Sequence, residues 1–370
     1  MGTEMKLNTV GVDAEARSVG QNSALKIVYA TGLSENDSSL YRAWALKRLG
    51  HSVVTLNAYE YTPKNPILDK ITFRLAAGPW VNRLNRDLLA MVERQKPDLV
   101  WTDKLLGMQP STLEKLRTMG VVTVSYMIDN PFGPRQDPGW RLYMKDIPYY
   151  DLHVVQRDAN IEHYKSRGAR DVIKIQTAYE PTIHFPPPEG WSDANRDRGV
   201  SFIGTPYDNR AQFFTSLWQT HRIQTAVSGN RSAWTRALDA RTMTALYREG
   251  ELYLERYREA IWRSKINLSF ITHANQDEFA HKSFEIAACG GFLLAERSEG
   301  HLKRFVEDEE AVFFSNQEEC VEKIRRYLPD EAARRRIAEA GRARAERNGY
   351  HNDRQVELII ERARTIIPRS

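Results

Sequence analysis

The stretch Gln276 to Glu296, QDEFAHKSFEIAACGGFLLAE, holds the residues best suited to chemistry. It is polar and charged through Lys282, continues as an apolar helical turn, and passes through Cys289-Gly290-Gly291 into Phe292-Leu293-Leu294-Ala295. The glycine pair stops the helix, because glycine adopts a positive φ at a helix C-cap without steric cost. The apolar run after it reads as a buried parallel strand. A charged loop, a short helix with a free N-terminal end, a glycine stop and a buried strand suit a phosphorylated ligand, because a helix N-terminus favours negative charge. Glu285 is expected at the start of that helix, where its carboxylate can accept hydrogen bonds from two neighbouring hydroxyls, as on a ribose. The competing reading of the same residues is an ordinary helix–strand joint with a surface glutamate.

The elements that must position this stretch alternate strand and helix along the chain. Leu25 to Ala30 reads as a strand, residues 39–49 as a helix ended by Gly50, and His51 to Leu56 as a second strand. This is how a Rossmann-like domain opens, and its right-handed crossover puts the loop from Thr31 to Ser38 at the carboxyl edge of the sheet. No GxGxxG occurs there, which argues against a dinucleotide. Residues 57–80, with three prolines and Tyr59, Tyr61, Phe73 and Trp80, read as irregular. They form either an acceptor-binding or membrane-touching flap or a plain surface crossover.

Further strands are expected at Asp98 to Thr102 and Val121 to Met127. Asp103 stands at the carboxyl end of the first. Asp129 follows the second, before Pro131, and either faces a cleft or closes an Asx-turn. Strands at Asp151 to Gln156 and Val172 to Gln176 complete a first domain over residues 25–182. The stretch Pro181 to Asp197, with its PPP run, is the expected boundary. A second domain over 198–348 opens with the strand Val200 to Thr205, turning at Gly204. It continues through strands at Ile223 to Gly229, Ile266 to Phe270 and Ala311 to Phe314, with 231–248 helical in tendency. Residues 349–370 read as a last helix, and residues 1–24 as a disordered polar leader without the apolar run of a secretory signal.

At 370 residues, with 41% hydrophobic and 10% aromatic content, the chain is long and apolar enough for two cored domains. Its net charge of +5 comes from 53 basic and 48 acidic residues, a balance that fits anionic ligands or a membrane surface and not a nucleic-acid partner. Cys289 and Cys320 cannot make a disulfide framework and read as reduced buried thiols in a cytoplasmic protein. No run of 18 apolar residues is present, so no spanning helix is expected. The histidines lack zinc spacing and no carboxylate pair suits a metal, so no metal site is expected.

The segment FEIAACGGFLLAE, followed by FVEDEEAVFF, EECVEKIRRYL and a closing YHNDR, resembles the CgeB-like (spore-maturation type) glycosyltransferases. The likeness is strong over about residues 200–355 and architectural over 25–180. It implies an α/β protein of two Rossmann-like domains facing a cleft, the GT-B fold, with the last helix crossing back to the first domain. In these relatives two acidic residues flank seven others, and Asp277 and Glu285 have that spacing, with Asp replacing the usual first Glu. The resemblance implies a nucleotide-sugar donor, no cofactor, and metal-independent, retaining transfer. Arg210 and Lys282 would then neutralise the leaving diphosphate, helped by the helix N-terminus around Ser283 to Glu285, with the Gly204 turn lying against it. Glu285 would hold the ribose, Asp277 or His273 would touch the donor sugar, and Asp129 or Asp103 would orient the acceptor hydroxyl. Glu285, Lys282 and Arg210 are each expected to face the cleft. The acceptor is left open among a glycan, a lipid-linked sugar, a protein and a small molecule, with a peripheral membrane contact compatible with any of them. Two other readings stand beside transfer: a nucleotide-sugar epimerase, or a nucleotide-sugar-binding protein without catalysis, because Asp at 277 withdraws the carboxylate by one methylene.

Overall fold

The computed structural model describes residues 23–34, 37–134 and 138–368. The expected leader lies outside the described residues up to Gln21-Asn22. Six parallel strands, β1 Lys26–Thr31, β2 Ser52–Asn57, β3 Leu99–Asp103, β4 Val122–Tyr126, β5 Leu152–Val155 and β6 Val172–Lys174, form one sheet in the order β2-β1-β3-β4-β5-β6. Six more, β7 Arg198–Ile203, β8 Thr225–Ser228, β9 Tyr247–Glu249, β10 Ser264–Ser269, β11 Leu293–Glu296 and β12 Val312–Phe314, form a second in the order β12-β11-β10-β7-β8-β9. All pairings within both sheets are parallel. Helices cover both faces, which is why central strands such as β3 and β4 are buried at every position. The chain thus consists of two Rossmann-like α/β domains.

The strand order reverses between β1 and β3 in the first sheet and between β7 and β10 in the second. Ligands of such sheets bind outside the carboxyl ends of the strands at that switch point. The segments after β1, β3, β7 and β10 therefore bound the candidate site.

The final helix, Asn352–Arg364, returns to the first domain. Its Val356, Ile359, Ile360 and Ala363 share one core with Ile27, Tyr29 and Trp101. The crossing is fixed where Tyr179 N–H donates to Tyr350 O at 3.0 Å and Asn352 N–H donates to Tyr179 O at 2.9 Å. Beside it the buried Glu180 carboxylate meets Arg48 at 2.8 Å, and Arg48 also pairs with Asp353 at 2.5 Å.

Two segments differ from expectation. Residues 57–80 are regular: a 3-10 turn at Ala58–Tyr61 and a helix at Pro66–Leu75. Asn65 caps that helix by accepting hydrogen bonds from the Ile67 and Leu68 N–H groups, and Pro66 fills its first position. Asn-Pro here starts a helix instead of breaking one. The 231–248 region contains two short helices, Arg231–Ala237 and Ala240–Leu246, and then the edge strand β9. Three residues are too few for strand alternation to be legible.

Candidate active site

A cleft of about 710 Å³ opens between the domains. The first domain supplies Thr31 and Gly32 at the end of β1, Asp103 to Leu106 at the end of β3, Asp129 after β4, and Tyr41 and Arg42 from the helix Ser38–Arg48. The second domain supplies Leu252 to Leu254, Tyr257, His281, Lys282 and Glu285, and His184 joins from the connecting segment.

The helix at the floor runs His281–Ala288, so it starts before the expected position and Glu285 is its fifth residue. Lys282 and Glu285, three apart, share the cleft face, as neighbours on a helix surface do. Glu285 Oε1 lies 3.0 Å from His281 Nε2 and 3.7 Å from His184 Nε2, and burial together with the nearby carboxylate charge keeps the Tyr257 hydroxyl protonated. Thr177 Oγ1 holds the other nitrogen of His281, and His184 Nδ1 accepts the Glu180 N–H at 3.0 Å, which leaves the Nε2 proton of neutral His184 directed at Glu285. Burial pushes the Glu285 carboxyl up, but His281, His184 and Lys282 outweigh it and hold the group well below the usual carboxylate range. Burial pushes His184 down to about 4.

Lys282 places its ammonium 4.8 Å from the centre of the Tyr257 ring. Burial lowers its proton affinity and Arg210 adds to that, while Glu285 opposes both. A β-carbon on Gly204 would stand 2.9 Å from the Phe202 ring and 3.6 Å from Lys282 Cε. Gly204 O also accepts the Trp234 indole N–H at 2.9 Å, and a side chain on Gly229, at φ +149°, would collide with that carbonyl. The turn after β7 is thus kept bare where it passes Lys282.

The other expected site residues are placed differently. Arg210 opens the helix Arg210–Gln219 but is buried, surrounded by the rings of Phe202, Tyr207 and Phe270. Its guanidinium donates to Thr205 O at 3.2 Å, Ile271 O at 2.9 Å and Thr272 Oγ1 at 3.1 Å. It therefore ties the loop after β7 to the loop after β10 and does not line the cleft. Ser283 is fully buried, its hydroxyl 3.0 Å from Ser269 Oγ and 3.0 Å from His301 Nε2, because one step along the helix turns it towards β10. His273 is 62% exposed and pairs with Glu296 at 2.7 Å, away from the cleft lining. Asp277 forms an ion pair with Arg157 of the first domain and accepts from Asn275 Nδ2 at 2.8 Å.

Neighbouring contacts extend that clamp: Asn130 Nδ2 donates to Gln276 Oε1 at 2.9 Å, and Lys174 pairs with Glu278 at 2.7 Å. The 275–278 loop joins the domains. Of the two aspartates expected to handle the acceptor, Asp103 is buried and committed to Arg42 at 2.5 Å and to the Tyr29 hydroxyl at 2.6 Å. Asp129 remains on the cleft wall, paired with Lys104 at 2.6 Å. Tyr41, Tyr257, His184 and His281 were not assigned by sequence reasoning. His281 alone carried a local signal, four residues before Glu285 on a helical stretch.

Among the described residues no three His, Cys, Asp or Glu side chains gather as a metal site, and no helix is long and apolar enough to cross a membrane. Cys289 and Cys320 are free and buried.

Residues 210–361 match the glycosyl transferase-like family. No curated protein sequence matches the chain. Among solved structures, a sucrose-phosphate synthase from Thermosynechococcus elongatus superposes with a TM-score of 0.64 at 12% identity, covering 92% of this chain and 99% of that one. A glycosyltransferase from Rickettsia africae gives 0.63 at 14%, covering 94% and 100%. The Anabaena protein Alr3699/HepE in complex with UDP-glucose gives 0.62 at 12%, covering 91% and 99%. The fold is that of the two-domain GT-B glycosyltransferases. The glycosyl transferase-like domain of residues 210–361 supplies the helix on the cleft floor of that fold.

Proposed function

We propose that this cleft transfers a sugar from a nucleoside diphosphate sugar to an acceptor hydroxyl, with retention of configuration and without a metal ion. The observation that carries the reading is the Glu285 carboxylate, kept ionised on the cleft floor beside Lys282 and the N-terminal turn of its helix. Glu285 accepts hydrogen bonds from the ribose hydroxyls. Lys282 and the first-turn N–H groups meet the negative charge that grows on the diphosphate as the sugar–oxygen bond breaks, and charge stabilisation of that kind is a large part of transfer catalysis. Asp129 and Lys104, across the cleft, orient the acceptor hydroxyl. UDP and UDP-glucose in the Alr3699/HepE structures support a uridine diphosphate sugar as the first donor to try. The motifs FEIAACGGFLLAE and YHNDR support a CgeB-like subtype.

One observation favours a second reading, a nucleotide-sugar-binding protein without transfer: Asp277 is spent on the domain clamp. Incubation with UDP-, GDP-, dTDP- and CDP-sugars without acceptor separates the two. Slow release of nucleoside diphosphate, lost in Lys282→Met, supports the transferase. Binding without release supports the second reading, and neither binding nor release with any donor contradicts both.

A further inference from the structure

We infer that the helix Pro66–Leu75 is a docking element for an anionic lipid surface. It buries none of its residues, although it is rich in large apolar side chains. Ile67 is 69% exposed, Leu75 62%, Ile71 47% and Leu68 44%. Ile67, Ile71 and Leu75 recur every fourth residue and Leu68 stands beside them, so the four make one aliphatic stripe along the helix. The stripe does not face the protein. Asp69, Thr72, Phe73 and Ala76 lie on the opposite side, over an apolar hollow of about 150 Å³ floored by Val81, Leu84 and Leu106.

The surroundings fit a membrane interface. Lys70 and Arg74, each three residues on from Ile67 and Ile71, flank the stripe, and Lys64 precedes the helix. All three basic residues are exposed, and among the described residues none forms an ion pair. Between Asn57 and Asp87 the chain carries five basic and three acidic residues, with Asp69 turned to the hollow and Asp87 paired with Arg83 and Arg86. An interfacial helix combines these features: an aliphatic face to insert and cations to meet anionic headgroups. A second copy of the chain fits less well, since a ten-residue helix is ~15 Å long and ~10 Å wide, a footprint well below the ~800 Å² per partner that a stable dimer buries. The docking stands independently of the transfer reaction.

The test is flotation of the full chain with phosphatidylcholine vesicles, with and without phosphatidylglycerol. The expected result is flotation with the anionic vesicles only, weakened by salt. Ile71→Asp with Leu75→Asp should reduce partition by at least about tenfold, and Lys70→Glu with Arg74→Glu should reduce it too, both with unchanged melting temperature because nothing buried is altered. The inference is overturned by protein that stays in the aqueous fraction, by equal flotation with neutral vesicles, or by flotation indifferent to the paired aspartates. A dimer in solution that those aspartates dissociate would also overturn it, and would name a second copy as the occupant.

Discussion

Glu285 and His281 lie one turn apart on the same helix, with the imidazole Nε2 3.0 Å from the carboxylate Oε1. The far side of that imidazole is held by Thr177, from the segment that links the domains. The carboxylate is therefore oriented before any ligand arrives, and its charge is matched by neighbours that also touch the cleft. A preset acceptor of this kind lowers the ordering cost of binding a diol. The same pairing explains why a largely buried glutamate stays ionised: burial alone would protonate it, and the two histidines and Lys282 reverse the balance.

Three buried imidazoles make the fold acid-sensitive. Burial holds His153, His184 and His301 at about 4, below the ordinary 6.5. His301 Nε2 accepts the Ala280 N–H at 3.2 Å, a bond that protonation would break. As the pH falls below about 6.5 the unfolded chain takes up protons that the folded chain refuses, so stability present at neutral pH is lost progressively down to about pH 4. The loss is on the order of 3 kcal/mol for each imidazole. Denaturation midpoints between pH 7.5 and about 4.5 should fall, and less steeply in His301→Gln. A flat profile contradicts the account.

Arg210 should behave as a structural residue. Arg210→Met removes three donors and strands the carbonyls of Thr205 and Ile271, costing roughly 2–4 kcal/mol. Chemical denaturation should show this even without ligand. Wild-type stability combined with slowed turnover would return Arg210 to the leaving-group site.

Asp277→Ala should loosen the contact between the domains and leave the nucleotide site in place. Removing a charged hydrogen-bond acceptor from the half-buried Arg157 pair should lower stability by roughly 1.5–3 kcal/mol. Affinity for the nucleoside diphosphate should stay within about threefold of wild type. A large loss of donor-sugar affinity at unchanged stability would assign Asp277 to the sugar instead.

On the proposed reading Lys282 and the helix N-terminus supply the charge that faces the diphosphate, so chelation should leave transfer intact. Assays with and without EDTA decide this. Activity abolished by EDTA and restored by Mg²⁺ or Mn²⁺ contradicts it.

Most strands of the two domains were legible because each is a short apolar run, a local signal. β9 was not, at three residues on a sheet edge. The site was legible only along one helix. Lys282 and Glu285, expected together, both line the cleft, but a helix start displaced by a few residues changes which side chains share a face, so Ser283, expected beside the diphosphate, lies against β10. Arg210 had the right chemistry for a phosphate, yet the aromatic cage and carbonyls that bury it come from residues up to 62 positions away. His184 is invisible for the same reason: the connecting segment is read from its prolines, and only the folded chain brings it to Glu285.

The most direct test is titration of UDP into wild type and Glu285→Gln, with melting temperature as a control for folding. The substitution keeps the shape of the side chain and removes the charge that the ribose hydroxyls would meet. A hydrogen bond to a charged group is worth roughly 1.5–3 kcal/mol, so affinity should fall by about one to two decades with the fold intact. Unchanged affinity in Glu285→Gln would contradict the account and move the nucleotide away from the 281–288 helix.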